Sequence, residues 1–112
     1  MKGNLNIPAN KKLTVVYKME PGCLGPNGAA LIEDYCQFAQ QQISQFNQEF
    51  VNWVVEPRFD KSLAEIKYEI NGKELLPTMA ERYLAKFDHN LDDFEEQFNE
   101  QFMNYIEQFL KR

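Results

Sequence analysis

Residues 64–76 carry the clearest structural signal in the chain. Apolar and charged side chains alternate over 64–70, which is the pattern of a strand with one face buried and the other solvated. Asn71 and Gly72 follow at once, and this dipeptide favours a two-residue hairpin because both positions tolerate a positive φ. The segment therefore predicts an antiparallel pair of strands, with residues 73–76 as the returning strand.

A strand-helix-strand pattern precedes this hairpin. Residues 13–19 and 50–56 are apolar and rich in β-branched or aromatic side chains, and residues 29–47 between them repeat apolar positions at helical spacing. Such a unit predicts two parallel strands joined by a right-handed crossover. Val16 lies on the opposite face from its apolar neighbours, which predicts that the first strand is covered on both sides.

Two helices complete the chain. Thr78 with Glu81 three residues later has the spacing of a capping box, and Asn90 is placed to cap the last helix. The full order, β-α-β-β-β-α-α, predicts an α+β domain with a mixed sheet of about four strands. We expect residues 1–12 to be a flexible arm and residues 13–112 to form a single domain.

Composition restricts the compartment and the partners. The 112 residues carry a net charge of −5, which argues against nucleic acid as a partner because phosphate binding needs a basic surface. No apolar run approaches the ~18 residues of a membrane span, and the N-terminus lacks the apolar core of a signal peptide. Cys23 and Cys36 are expected to be free thiols separated by helix, which predicts a reducing, cytoplasmic compartment.

The order of elements resembles the minimal thioredoxin-like fold. Leu-Thr-Val-Val-Tyr at 13–17, Cys23 ahead of the helix, and Glu-Ile-Asn-Gly-Lys-Glu-Leu at 69–75 are similar to the selenoprotein W-like (Rdx) redox family. The resemblance implies thiol redox chemistry at a Cys-x-x-Cys loop. Here Pro26 stands where the second cysteine belongs, so dithiol exchange within this loop is excluded.

Cys23 is the candidate catalytic residue. A helix N-terminus favours the thiolate, and Gly22 and Gly25 would leave the sulfur accessible, whereas Glu20 would oppose ionisation. A single thiol can form mixed disulfides with glutathione or with a protein partner. The alternative is an inert loop cysteine that packs as a small apolar side chain.

A second set of candidates follows the second parallel strand, at the edge where ligands bind in open α/β sheets. We expect Arg58 and Asp60 to lie beside the loop that carries Cys23, although a local salt bridge would explain both. The candidate binding residues are therefore Gly22, Gly25, Pro26, Arg58 and Asp60. The glycine spacing matches no phosphate-binding fingerprint, and His89 has no Cys or His cluster near it in sequence, so we expect no cofactor and no metal.

The last helix suggests a protein interface. From Asp88 to Arg112 there are seven acids and two bases, whereas the remainder has ten of each; a solvated helix face is the simplest explanation. Phe94, Phe98 and Phe102 belong to an apolar stripe that exceeds what one small sheet needs, which predicts an interface for a second copy or another protein. The alternative is packing of these rings on the sheet.

Two functional hypotheses remain. The first is a non-catalytic thioredoxin-like protein-interaction module, working as a homodimer or with another protein. The second is a monothiol redox protein that uses Cys23 in mixed-disulfide exchange. The missing second cysteine favours the first hypothesis, and with it a protein that is not an enzyme.

Overall fold

The structure is a computed structural model and describes residues 7–111. The strands are β1 (Leu13–Met19), β2 (Val51–Pro57), β3 (Ile66–Ile70) and β4 (Lys73–Glu74), and the helices are α1 (Gly28–Ile43), α2 (Pro77–Ala85) and α3 (Leu91–Leu110). Two 3-10 turns, Ala9–Lys11 and Pro21–Leu24, flank β1. The α+β class and the predicted order of elements are confirmed.

The four strands form one mixed sheet in the order β2-β1-β3-β4. β1 and β2 are parallel, as the crossover predicts, and β3 runs antiparallel to β1 and to β4. Asn71 and Gly72 have φ values of 53° and 80°, so the dipeptide makes the tight turn expected of it. The Asn-Gly hairpin therefore stands where the sequence predicts it.

One face of the sheet carries the core. Alternate residues of β1, namely Leu13, Val15, Tyr17 and Met19, belong to the cluster of buried apolar side chains that also includes the buried residues of α1, α2 and α3. Val16 is buried but lies outside that cluster. Its neighbours on the second face are half-buried or exposed, and they are Thr14, Lys18, Asn52, Val54, Glu56, Lys67 and Glu69.

The prediction that β1 is covered on both sides is therefore wrong. Val54 and Lys67 lie directly beside Val16 in the register of the adjacent strands. In residues 7–111 the buried apolar residues of all three helices belong to the cluster on the other face, so Val16 is buried in a central strand without a covering helix from that range. One apolar residue is too little signal to distinguish the two arrangements.

The phenylalanines of α3 fill the centre of the core. Phe94, Phe98 and Phe102 are 0%, 0% and 1% exposed, and they pack against Trp53 of β2 and Tyr17 of β1. The prediction that Phe94, Phe98 and Phe102 form an interface is therefore wrong, because rings enclosed by the chain's own sheet offer no surface to a partner. The alternative, packing on the sheet, describes their position.

The outer edge of β2 is closed by a side chain of α1. The Gln40 amide nitrogen donates to the Trp53 carbonyl at 2.8 Å, and the Gln40 amide oxygen accepts from the Val55 N–H at 2.8 Å. The side-chain amide thus takes the place of a neighbouring strand on two of the outward backbone groups. Such groups on an open edge are templates for unwanted strand pairing, so Gln40 protects this edge.

Helix starts follow the sequence in one case and not in another. The Asn90 side chain accepts from the Asp93 N–H at 2.8 Å, so the predicted cap of α3 is confirmed. α2 instead begins at Pro77, with Leu76 as a cap residue that makes no side-chain hydrogen bond. The predicted capping box at Thr78 is wrong because proline is favoured at the first helical position, which moves the cap two residues upstream, from Thr78 to Leu76.

The predicted flexible arm is only partly open to description, since residues 1–6 lie outside the described part of the chain. From Ile7 onward the arm is attached to the domain. Ile7 packs against the core, and the Ala9 carbonyl accepts from the Asn52 side-chain amide at 2.9 Å. The Lys12 ammonium donates to the Gln48 carbonyl at 2.6 Å. These contacts make residues 7–12 part of the domain.

Candidate functional site

Cys23 lines a groove of about 450 Å³ between the end of β1, the turn Pro21–Leu24 and the C-terminal half of α3. We call it the Cys23 groove. Its floor and walls are apolar and come from Tyr17, Met19, Phe102, Met103 and Ile106. Its polar lining residues are Glu65, Asn99 and Glu107.

Two aromatic rings that line the groove pack against each other. Tyr17 and Phe102 are stacked with centroids 4.1 Å apart and planes 3° from parallel. The buried Tyr35 hydroxyl of α1 donates to the carbonyl of Phe102, a residue of the groove lining, at 3.1 Å, and this bond joins α1 to α3. Burial, with a smaller effect of Glu65, raises the pKa of Tyr17 to about 12, so this hydroxyl is neutral at physiological pH.

Met103 and Ile106 form the α3 side of the groove. Met103 is 65% exposed, although α3 presents its buried apolar stripe to the sheet on another side. An unbranched thioether can adapt its shape to different apolar contacts, which suits a residue at a binding surface. An exposed methionine beside a half-buried isoleucine and an aromatic floor gives the groove a surface that water solvates poorly.

Cys23 is exposed on the opposite side, in the turn Pro21–Leu24. Its N–H donates to the Glu20 carbonyl at 3.1 Å. α1 begins only at Gly28, so the sulfur does not sit in the first turn of that helix, where the dipole acts most strongly. Partial burial, Glu20 and Glu65 together raise the pKa of the Cys23 thiol above its ordinary value.

This electrostatic setting differs from that of an activated cysteine. Reactive cysteines have a lowered pKa and lie next to a cation or a helix N-terminus. The carboxylates of Glu20 and Glu65 oppose formation of a thiolate at Cys23 and so raise its pKa. The thiol is accessible, but at neutral pH it is mainly protonated. Cys36, by contrast, is buried in the core as the sequence predicts, and burial raises its pKa to about 11.

Arg58 does approach the loop that carries Cys23, as expected from the ends of parallel strands. Its guanidinium forms a salt bridge with Glu20 and also donates to the carbonyls of Lys61 and Leu63 at 2.9 Å each. All three of its nitrogens are therefore engaged within the protein. Arg58 ties the β2–β3 loop to the Cys23 loop through these contacts, which hold its guanidinium against the protein's own groups.

Asp60 makes its hydrogen bonds within the β2–β3 loop. Its carboxylate accepts from the Ser62 N–H at 2.9 Å and from the Ser62 hydroxyl at 2.7 Å, and these bonds lower the pKa of Asp60. This is the geometry of a side-chain turn that fixes the backbone two residues ahead. Neither Arg58 nor Asp60 is among the residues that line the Cys23 groove within the described part of the chain.

Gly25 and Gly28 are required by the backbone of the Cys23 loop. Gly25 has a φ of 95°, which only glycine adopts without strain, and its carbonyl accepts from the Gly28 N–H at 3.0 Å. Gly28 passes so close to Pro21 that a Cβ on it would lie 1.7 Å from the Pro21 carbonyl oxygen. Gly22 and Pro26, like Gly25, are absent from the groove lining in the described residues.

Two kinds of site are not found in residues 7–111. No group of three or more His, Cys, Asp or Glu side chains is placed to hold a metal ion. No helix in that range is both long and apolar enough to cross a membrane. His89 lies in the α2–α3 connection beside the rings of Phe50 and Phe94, with centroid distances of 5.2 and 6.4 Å.

Most of the groove residues are not singled out by the sequence. Glu65, Asn99, Met103, Ile106 and Glu107 come from two distant segments, and only the packing of α3 across β1 brings them to Cys23. Met103 does carry a recognisable signal. It is a large apolar residue outside the buried stripe of α3, with Asn104 beside it and an acid on each adjacent turn, and such a residue on a solvated face indicates a contact surface.

No protein-family model matches this sequence, and comparison with curated proteins and with solved structures gives no significant match.

Proposed function

We propose that this chain is a non-catalytic protein-interaction domain on a thioredoxin-like scaffold, and that the Cys23 groove is its docking site. The observation that carries the proposal is the apolar groove with a 65%-exposed methionine on one side and an accessible thiol on the other. Exposed apolar grooves rimmed by polar residues are typical of binding sites.

The arrangement of strands supports the scaffold. A parallel β1–β2 pair, an antiparallel β3–β4 hairpin on the far side of β1, and α1 and α3 against the same face agree with the minimal thioredoxin-like order. The loop after the first strand then carries Cys23 in the place where that fold puts its active loop. A scaffold that keeps this loop position without its second cysteine is suited to binding rather than to dithiol exchange.

The chemistry around Cys23 also favours binding. Exchange needs a thiolate, and the raised pKa of Cys23 lowers the thiolate fraction at neutral pH. The neighbouring carboxylates repel glutathione, which carries two carboxylates of its own. The exposure of Cys23 in the groove is the one feature that favours the second candidate, a monothiol protein forming mixed disulfides with a bound partner.

Site-specific photo-crosslinking tests the docking site. A photoreactive amino acid is placed at Asn99, an exposed residue of the groove, and at Glu81, an exposed residue of α2, as the control site. The two proteins are irradiated in cells of the source organism. We expect discrete adducts from position 99 and none of the same kind from position 81.

Three background substitutions separate the candidate functions. Met103→Glu should abolish the adducts from position 99, whereas Leu76→Glu, at a residue 67% exposed and outside the groove, should leave them unchanged. Cys23→Ser should also leave them unchanged if binding is non-catalytic. Loss with Cys23→Ser, together with adducts that reductant releases, would favour the monothiol function. If Met103→Glu leaves the adducts from position 99 unchanged, the groove is not the docking site.

Self-association is measured on the purified protein. A second copy of this chain is a possible occupant of the groove, and sedimentation velocity distinguishes it from a different partner. A dimer that Met103→Glu dissociates would identify the occupant as a second copy. A monomer that still gives the adducts from position 99 would identify another protein.

A further inference from the structure

The Cys23 groove lies at one end of a row of acidic side chains on α3. Asp92, Glu96 and Glu100 are each four residues apart, Met103 follows three residues later, and Glu107 comes four residues after that. Residues three and four apart lie on the same side of a helix, so these positions form one line. All of them are exposed, and we call the line the acidic row.

The groove itself has the same sign of charge. Glu65 and Glu107 belong to its lining, and no Lys, Arg or His does so among the described residues. The field of Glu65 is evident from its effect on two neighbours, since it helps to raise the pKa of both Tyr17 and Cys23. Arg58 contacts the Cys23 loop but is paired there with Glu20, and Lys111 follows Glu107 by one further turn.

The apolar Cys23 groove at the end of the acidic row is complementary to one kind of partner. The occupant needs an apolar side chain for the groove and cations spaced along the segment that follows it. Each exposed ion pair contributes little, but several along one line select for sign and increase the association rate. A neutral or acidic segment with the same apolar anchor would meet repulsion from the row.

We infer that the groove and the acidic row together dock a basic segment of a partner protein, with one apolar anchor in the groove and Lys or Arg side chains along α3. This inference rests on the proposed function and adds the chemistry of the partner. The row fixes the direction of the bound segment, because its anchor lies at the Met103 end of α3 and its cations extend toward Asp92.

The probes are three short labelled peptides of equal length. The first has a leucine at one end followed by lysines and alanines, the second replaces each lysine with glutamate, and the third replaces the leucine with serine. Binding is measured by fluorescence anisotropy at low and moderate salt. Protection of Cys23 from alkylation, in Cys36→Ser protein, reports whether the anchor occupies the groove.

We expect the basic peptide with the leucine to bind and to slow alkylation of Cys23. Glutamate in place of lysine should abolish binding, and serine in place of leucine should remove the protection of Cys23. Combining Glu96→Gln with Glu100→Gln should weaken binding by about two- to five-fold per carboxylate at low salt, and less as salt rises. Glu33→Gln, at an exposed acid of α1, is the matched control and should have no effect.

The outcomes separate this inference from the proposed function. If the basic and acidic peptides protect Cys23 equally and Met103→Glu abolishes both effects, the groove is a docking site but the inferred partner chemistry is wrong. If no peptide protects Cys23 while position 99 still gives Met103-dependent adducts, the inference is again overturned and the proposed function stands. If both protection and adducts are absent, both are refuted.

Discussion

Gly28→Ala tests how the Cys23 loop is held against α1. A Cβ at this position would lie 1.7 Å from the Pro21 carbonyl oxygen and 2.6 Å from its carbon, whereas real Cβ atoms essentially never come within 3.0 Å of another heavy atom. Both atoms belong to backbone, so no side-chain rotation relieves the clash. The turn Pro21–Leu24 and the start of α1 must therefore separate by more than about an ångström.

The expected magnitude follows from two opposed effects. Forcing an extra carbon into a closed contact typically costs about 1–3 kcal/mol. Alanine has the better helix propensity by at most about 1 kcal/mol, and less at the first position of a helix, where Gly28 stands. We therefore expect the free energy of unfolding to fall by roughly 1–3 kcal/mol, which urea denaturation measures directly.

Gly22→Ala is the matched control within the same loop. Nothing lies within 4 Å of a Cβ built on Gly22, and its φ is not positive. We expect a change within about 0.5 kcal/mol. The alkylation rate of Cys23 provides a second readout, since displacement of the turn moves the thiol relative to the groove. The reasoning is refuted if Gly28→Ala matches Gly22→Ala both in stability and in Cys23 reactivity.

Three further predictions concern the β2 edge of the sheet, Tyr17 and the Asn90 cap of α3. Gln40→Ala should lower stability by about 1–3 kcal/mol by removing the two hydrogen bonds from the Gln40 side chain to the backbone of β2, and it should promote concentration-dependent association seen by sedimentation, unlike Gln37→Ala on the exposed face of the same helix. The pKa of Tyr17 is about 12 in the folded protein and about 10 in the unfolded chain, so the unfolded chain loses this proton first as the pH rises. The free energy of unfolding, measured by urea denaturation, should therefore decline from about pH 10 to pH 12, by roughly 2–3 kcal/mol for this residue. Tyr17→Phe should reduce the decline. Asn90→Ala should cost about 1 kcal/mol in thermal or urea unfolding, whereas Asn104→Ala, exposed in the middle of α3, should cost much less.

The parts of the fold that the sequence predicts are those set by local rules. The Asn71–Gly72 turn and the Asn90 cap each depend on a few adjacent residues, and both are found in the structure. The strand before the turn begins at Ile66 rather than at residue 64; Tyr68 is buried in it, whereas Ile66 and Ile70 are half-buried against the core. The parallel pairing of β1 and β2 follows from the length of the helix between them. At Thr78 two local rules compete, and Pro77 prevails.

The predictions that are wrong concern positions whose burial depends on how much surface the other elements cover. The apolar stripe of α3 is evident in the sequence. Whether Phe98 belongs to the core or to an interface depends on how the sheet and α1 pack against it, which the sequence pattern does not specify. Arg58 is similar: its position beside the Cys23 loop is predictable, whereas its engagement by Glu20 and two carbonyls is a matter of tertiary geometry. Periodicity reports which side of an element is apolar, and only the fold shows what lies opposite.

The edges of the sheet also bear on where a partner can dock. A partner that adds a strand needs a free edge with unpaired backbone groups. Here the β2 edge is occupied by the side chain of Gln40, and Pro57 at its end lacks an N–H, while the opposite edge, β4, has only the two residues Lys73–Glu74. Recognition through backbone pairing is therefore disfavoured at both edges of the sheet in residues 7–111, which agrees with the proposal that a partner docks through side-chain contacts in the Cys23 groove.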